Sequence, residues 1–277
     1  MYLGVDIGGS KTLVAVFDVN GVITEQSKFP TPQEYPDFLK ALEQALASLQ
    51  TQEFQAATVA VPGQLDREHG VVLRLGNLPW QHEAIQADCE RVTNCPVLIE
   101  NDAKLAGLSE AMLHKDAETV LYVTVSTGIG TSVVYQQHLD RATQDSEGGH
   151  IMLPFHGKLT KWESFASGKA IYEHFGKKAS DIPASDTRTW RYIAHNLALG
   201  LYELIAILEP NLVVIGGSIG TYFDRYGDIL NELVQQFATP LVSMPRIVGA
   251  ERAEEAVVYG CYDLIMQELP HHAAARR

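Results

Sequence analysis

Twice in these 277 residues an apolar run leads into a short polar turn with glycines and out into a second apolar run. The first copy opens the chain, MYLGVDIGGSKTLVAVFD, where Tyr2–Ile7 and Thr12–Phe17 flank Gly8-Gly9-Ser10-Lys11. The second is Thr119–Ser126, the turn Thr127-Gly128-Ile129-Gly130, and Thr131–Gln136. The runs are rich in β-branched and aliphatic residues and read as strands. The elements after each copy are alike in order, though not in letters. That recurrence constrains the chain to an α/β protein of two similar lobes, each with a glycine turn aimed at the cleft between them.

The elements between are readable from their punctuation. Asn20-Gly21 is a type I′ hairpin signal and predicts a third strand over Val22–Phe29, making an antiparallel meander. Asp37 is placed to cap a helix over Phe38–Leu49, whose apolar residues recur at helical spacing. A strand at Ala57–Val61 ends at Pro62-Gly63. An irregular stretch to Trp80 includes a hairpin near His69-Gly70. A helix over His82–Thr93, a strand over Pro96–Glu100 and a helix over Ala103–Leu113 complete the first pass. The second predicts a helix over Thr189–Leu208, a strand over Asn211–Ile215 ending at Gly216-Gly217, a helix over Tyr226–Phe237 and a strand near Pro245–Gly249. A last helix, Ala253–Gln267, packs on one lobe. The tail His271–Arg277 reads as disordered. The expected division is 1–113 completed by 253–267, and 114–252.

Glycine turns let a backbone approach a ligand closely, and consecutive N–H groups form anion-binding concavities. Gly8, Gly9, Ser10, Lys11 and Thr12 in the first turn, and Thr127, Gly128, Gly130 and Thr131 in the second, are therefore candidate phosphate binders. Gly216 and Gly217, beyond a buried strand, offer a third approach for the adenosine or α-phosphate region. Asp6 beside the first turn would repel phosphate unless a cation intervened, which points to Mg²⁺, bound directly or through water. An ordinary glycine hairpin explains one such turn equally well; three together favour a nucleotide.

A net charge of −13 argues against nonspecific nucleic-acid binding. No apolar run reaches the length of a membrane span, and no signal-peptide pattern is present. Three cysteines, none in a C-x-x-C pair, read as free thiols of a cytoplasmic protein.

Further motifs carry a resemblance. The opening DIGGSKT, Pro62-Gly63 with Asp66, Asn77-Leu78-Pro79-Trp80, Glu100-Asn101-Asp102-Ala103, Ser126–Thr131, Glu147-Gly148-Gly149-His150, Glu163 before Ser167-Gly168, and Leu208-Glu209-Pro210 leading to Gly216-Gly217 occur in the order and spacing of the ROK family. The chain resembles a ROK sugar kinase of the bacterial glucokinase kind over nearly its whole length. The resemblance implies two RNase H-like lobes of the actin-like ATPase fold around a central cleft. It implies transfer of the ATP γ-phosphoryl group to a hexose, glucose to glucose 6-phosphate. Asp102 then matches the general base; read on its own it is an N-cap of the next helix. Asn101 would bond the neighbouring sugar hydroxyl. Glu147, His150 and Glu163 match the residues that read sugar hydroxyls, and Gly63 and Asn77 match loops that close over the sugar. A homodimer is the family expectation.

One segment departs from the family pattern. Relatives carry a cysteine-rich run between the E-x-G-H motif and the following Glu, which with the motif histidine holds a structural zinc. Here Ile151–Trp162 contains no cysteine, and His156 is its sole good zinc ligand. The expectation is no zinc, His150 free for the sugar, and packing by Phe155 and Trp162 in place of the metal. Alternative acceptors are fructose, N-acetylmannosamine and N-acetylglucosamine, and polyphosphate is an alternative donor. A sugar-responsive regulator is the competing class. It is disfavoured by the retained Asp102 and DIGGSKT, and by a start at the first strand that leaves no helix-turn-helix domain. An ATPase acting on a partner protein is a third reading.

Overall fold

The structure is a computed structural model that describes residues 1–252 and 255–275, with side chains described up to residue 269. The chain divides into two compact units, Met1–Ser109 with Glu255–Arg277, and Glu110–Glu254.

In the first unit β1 (Tyr2–Ile7), β2 (Lys11–Phe17) and β3 (Ile23–Pro30) form the antiparallel meander. Helix α1 (Tyr35–Ala47) leads to β4 (Ala56–Val61), and the hairpin β5 (Gly63–Asp66) and β6 (Val71–Leu75) follows. Then come α2 (Ile85–Thr93), β7 (Val97–Asn101) and α3 (Asp102–Ala111). The sheet order is β3-β2-β1-β4-β7, with β4 and β7 parallel to β1. β1 and β4 are buried almost end to end, which is why they read as continuous apolar runs.

The second unit begins with β8 (Thr119–Val125), β9 (Ile129–Tyr135) and β10 (His138–Leu139), again an antiparallel meander. A 3₁₀ turn at Gly148–His150 precedes the hairpin β11 (Met152–Phe155) and β12 (Lys158–Lys161). Helices α4 (Glu163–Ala166), α5 (Gly168–Phe175) and α6 (Thr187–Leu208) follow, then β13 (Leu212–Gly216), α7 (Gly217–Gly220), α8 (Phe223–Gln235) and β14 (Arg246–Gly249). The sheet order, β10-β9-β8-β13-β14, repeats the first: three antiparallel strands, then two strands parallel to the first of them. Trp162, Trp190, Leu197, Leu201 and Val213 lie in its core. Finally α9 (Ala256–Ala275) returns to the first unit, where Val258 and Ile265 pack with Tyr2 and Phe17.

Several expectations are corrected. Asn20-Gly21 is not a type I′ turn: Gly21 has φ +77° but Asn20 is not at positive φ. Instead the Asp18 carboxylate accepts from the N–H groups of Asn20 and Val22, which closes a longer loop. Helix α1 starts at Tyr35 rather than after Asp37, because Pro36 suits a first helical turn and Asp37 sits inside it. Helix α2 starts at Ile85, not His82. The second glycine turn is shorter than read, since Ile129 and Gly130 already lie in β9. Ile151–Trp162, where the sequence predicts no element, contains the hairpin β11–β12. The tail is helical through Ala275; its last two residues, and the expected helix start at Ala253, lie outside the described residues.

Candidate active site

In the first unit the opening glycine turn is tightly built. The Gly8 N–H donates to the Lys11 carbonyl at 2.9 Å. The Thr31 hydroxyl donates to the Gly8 carbonyl at 2.8 Å, and the Thr31 N–H donates to the Ser10 carbonyl at 3.1 Å. A Cβ on Gly9 would lie 2.8 Å from that of Asn77, so only glycine lets the Asn77 loop come this close. Ser10 and Lys11 are exposed. Thr12 is fully buried, its hydroxyl 2.9 Å from that of Thr31, so it braces the turn from inside.

Asp6 ends β1 and Asp102 follows β7, two strands that both flank β4. Burial and the charge of Asp102 push the Asp6 carboxyl up to about 7, and Lys28 acts in the opposite direction. A carboxylate whose proton affinity is raised by burial and by a second carboxylate is a fit donor for a hard cation. Among the described residues no group of three or more His, Cys, Asp or Glu is arranged to hold a metal alone. Mg²⁺ held by one or two carboxylates together with nucleotide phosphates matches that donor set.

The capping of α3 separates two roles that the sequence left together. Asn101, not Asp102, is the cap: its Oδ1 accepts from the N–H groups of Ala103 at 2.9 Å and Lys104 at 3.3 Å. Asp102 is the first helical residue, half-buried, with Oδ1 accepting from the Ala103 N–H at 2.8 Å. The Asn101 amide donates to the Gly63 carbonyl at 3.2 Å, tying β7 to the start of β5. Gly63 has φ +150°, and a Cβ there would lie 2.3 Å from the Arg74 carbonyl oxygen. A second tie was not foreseen. Arg67 holds the buried Glu100 carboxylate from two nitrogens, at 2.9 and 2.5 Å, and Glu100 Oε1 accepts from the Asn101 N–H at 2.6 Å. The hairpin of β5 and β6 is thereby fixed to the strand that delivers Asn101 and Asp102. Asn77 is exposed.

In the second unit the starts of α5 and α7 both meet Ser126. The Gly168 N–H donates to its carbonyl at 2.7 Å, and the Ser218 N–H donates to its hydroxyl at 2.9 Å. Gly217 has φ +76°, and a Cβ on it would lie 2.6 Å from the Val125 carbonyl oxygen. Gly216 is buried against the Tyr122 ring. Beside them lies a cavity of about 400 Å³, lined by Thr127, Ser218, Lys169, Lys178, Tyr172 and Tyr222 among others. Tyr222 is held from behind by Arg225, whose guanidinium stands 4.5 Å from its ring centroid and 5.3 Å from that of Trp190. An aromatic wall, two ammonium groups and backbone turns suit a nucleoside with phosphates. None of the two lysines and two tyrosines was singled out from sequence, since aromatic residues at helical spacing usually mean core.

Glu163 and His150 meet: Oε1 and Nε2 are 3.1 Å apart. Glu163 Oε2 also accepts from the Ile129 N–H at 3.4 Å, and a Cβ on Gly128 would lie 2.8 Å from it. Gly148 and Gly149 are glycines because the 3₁₀ turn lies against β9: their Cβ atoms would be 2.5 Å from Thr131 Cγ2 and 2.1 Å from the Ile129 carbonyl oxygen. The Thr131 hydroxyl accepts from the Gly148 N–H at 3.1 Å, so Thr131 braces this turn. Glu147 is exposed. The structure thus groups Glu163, His150, Gly128 and Thr131, and groups Thr127 with Gly216 and Gly217 near the cavity.

The model of the ROK family matches residues 2–268. The chain is similar to the glucokinase of Streptomyces coelicolor, at 24% identity over 97% of this chain and 98% of that protein. It is similar to the N-acetyl-D-glucosamine kinase of Yersinia pseudotuberculosis, at 27% identity over 97% of this chain and 100% of that one. Among solved structures it is similar to a ROK family glucokinase from Streptomyces griseus in complex with glucose and AMPPNP, with a TM-score of 0.77 and 23% identity over 96% of this chain and 99% of that one.

Proposed function

This chain belongs to the ROK family and has its actin-like fold, and from that premise we propose that it is an ATP-dependent sugar kinase that phosphorylates a hexose hydroxyl, glucose first. The observation that carries the reading is the capping of α3 by Asn101. With Asn101 in the capping role, Asp102 is a half-buried carboxylate just beyond a strand, close enough to Asp6 for its charge to act there.

In the proposed mechanism Asp102 accepts the proton of the sugar hydroxyl as its oxygen attacks the γ-phosphorus. Asn101, whose amide is engaged by Gly63 and the helix terminus, fixes the direction of that carboxylate. Glu147, His150 and Glu163 bond the other sugar hydroxyls, and Gly63 and Asn77 shape the sugar loop. The turns at Gly8–Thr12 and Thr127–Gly128, with Gly216 and Gly217, hold the triphosphate, and the Tyr172–Tyr222 cavity takes the nucleoside. Mg²⁺, held with the phosphates by Asp6, would neutralise charge developing on them. Relatives of similar identity bear the names glucokinase and N-acetylglucosamine kinase, so the acceptor is decided by a panel.

The test is ADP release from Mg–ATP with single sugars, including glucose, fructose, mannose and both N-acetylhexosamines. One hexose should give strong turnover, and Asp102→Asn should lower kcat by roughly 10²–10⁴-fold with sugar affinity little changed. Near-native turnover in Asp102→Asn would remove the base assignment. Silence with every sugar would remove the kinase reading.

A further inference from the structure

His150 and Glu163 are twelve residues of intervening chain apart, yet their side chains meet, and the hairpin between them explains why. In β11 and β12 the paired residues are Met152 with Lys161, Leu153 with Thr160, Pro154 with Leu159 and Phe155 with Lys158. The next step outward pairs Ile151 with Trp162, and the Trp162 N–H does donate to the Ile151 carbonyl at 2.9 Å. One step further out stand His150 and Glu163. The tip is a two-residue turn, His156 at φ +48° and Gly157 at φ +77°, which admits no slack in the register.

A two-stranded hairpin is marginal by itself, so something must hold it. Trp162, fully buried, is the anchor. Its indole N–H donates to the Asn196 carbonyl at 3.0 Å, and its ring lies on the backbone of Gly200, where a Cβ would be 2.1 Å from Cδ2. Asn196 and Gly200 are one turn apart on α6 and share a face. Gly200 sits in the interior of this 22-residue helix, where glycine costs about 1 kcal/mol relative to alanine; the indole is the reason for it. The Asn196 side chain donates to the Phe165 carbonyl at 3.0 Å, and the Phe165 ring stacks on Phe155 at 4.1 Å between centroids and 6° between planes.

We propose that Trp162, seated on Asn196 and Gly200, is the positioning residue that locks the hairpin register and so sets the His150–Glu163 pair for the sugar. The proposal rests on the sugar-kinase reading for its effect on turnover, but the pairing itself is testable without it.

The experiment uses the full chain with Gly200→Ala, Trp162→Phe and the double variant. Gly200→Ala pushes the indole off its seat while improving the helix. It should raise the sugar KM on the order of tenfold and leave the ATP KM within about twofold. Trp162→Phe, which loses the bond to Asn196, should also raise the sugar KM, and the double variant, where the smaller ring makes room, should fall short of the product of the two single effects. In sugar-free protein the His150 imidazole ¹⁵N resonance should move in Gly200→Ala as it does in Glu163→Gln. A lower unfolding temperature with both the sugar KM and the His150 resonance unmoved would overturn the proposal. So would equal rises in both KM values. If the wild type turns over no sugar, the kinase reading falls and the resonance alone decides the positioning role.

Discussion

Asp6 is a carboxyl group whose charge is at odds with its surroundings, with a consequence for stability. An exposed aspartate titrates near 3.9, whereas here burial and Asp102 hold the group near 7 despite Lys28. Below about pH 4 both folded and unfolded chains carry the proton, and the group contributes no difference. Between about 4 and 7 only the folded chain carries it, so stability from this group falls as pH rises. Each factor of ten in proton affinity is about 1.4 kcal/mol, and the loss across the window is on the order of a few kcal/mol. Asp6→Asn has no such titration. Urea unfolding of both proteins from pH 4.5 to 7.5 should show the wild type losing stability relative to Asp6→Asn; parallel curves would mean Asp6 titrates as an exposed carboxylate. At this scale the letters were ambiguous in an instructive way. Asn101-Asp102 contains two good capping residues, and only the structure shows that Asn101 takes the cap. Glu163 likewise looks like a surface carboxylate until the register of the hairpin sets it opposite His150.

Among the elements, the β5–β6 hairpin and β7 are coupled through Arg67 and Glu100. Glu100 is 2% exposed and lies immediately before Asn101 and Asp102. Arg67→Met removes the guanidinium from a buried carboxylate, a change that typically costs about 3–5 kcal/mol. Because Glu100 Oε1 also accepts from the Asn101 N–H, the same variant should lower kcat. Arg67→Met/Glu100→Gln should regain part of the stability, since the uncompensated charge is gone. Urea midpoints and kcat of Arg67→Met, Glu100→Gln and the double variant check this; a double variant as unstable as the sum of the singles would show that the two residues act independently. Elements were legible where burial was two-sided: β1, β4, β8 and β13 appear as predominantly apolar runs. The hairpin β11–β12 was not. Met152 and Leu159 are 52% and 69% exposed, and Pro154 interrupts the strand, so neither alternation nor composition marks it. The four-residue helices α4 and α7 are too short for any period to show. The basic and aromatic lining of the cavity comes from α5, the segment that follows it and the turn before α8, so no contiguous motif announces it.

For the whole molecule, the two repeats of strand, glycine turn and strand were enough to read the architecture, because each meander is followed by the same pair of parallel strands. The first unit is discontinuous in sequence. Its chain is interrupted after Ser109 and resumes at Glu255. Helix α9 contributes Val258, Cys261 and Ile265, all fully buried, and covers Tyr2 and Phe17. Gly260 lets it close on α3, since a Cβ there would lie 2.0 Å from the Leu105 carbonyl oxygen. At about 1.5–3 kcal/mol for each fully buried apolar side chain, and with Phe17 uncovered as well, losing α9 removes on the order of 10 kcal/mol. That is comparable to the whole stability of an ordinary domain. The second unit keeps its own core of Trp162, Trp190, Leu197 and Val213, to which α9 adds nothing. A chain stopped after Arg252 should therefore fail in one unit and not the other. Limited proteolysis should digest residues 1–109 and leave a resistant fragment near 110–252, with the near-ultraviolet signal of the buried tryptophans of α6 and its hairpin preserved. Equal resistance of both units would place the stability of the first in residues 1–109 alone and make α9 a covering rather than part of the core. Uniform digestion of the truncated chain would show that the second unit depends on the first, despite a core made wholly of its own residues.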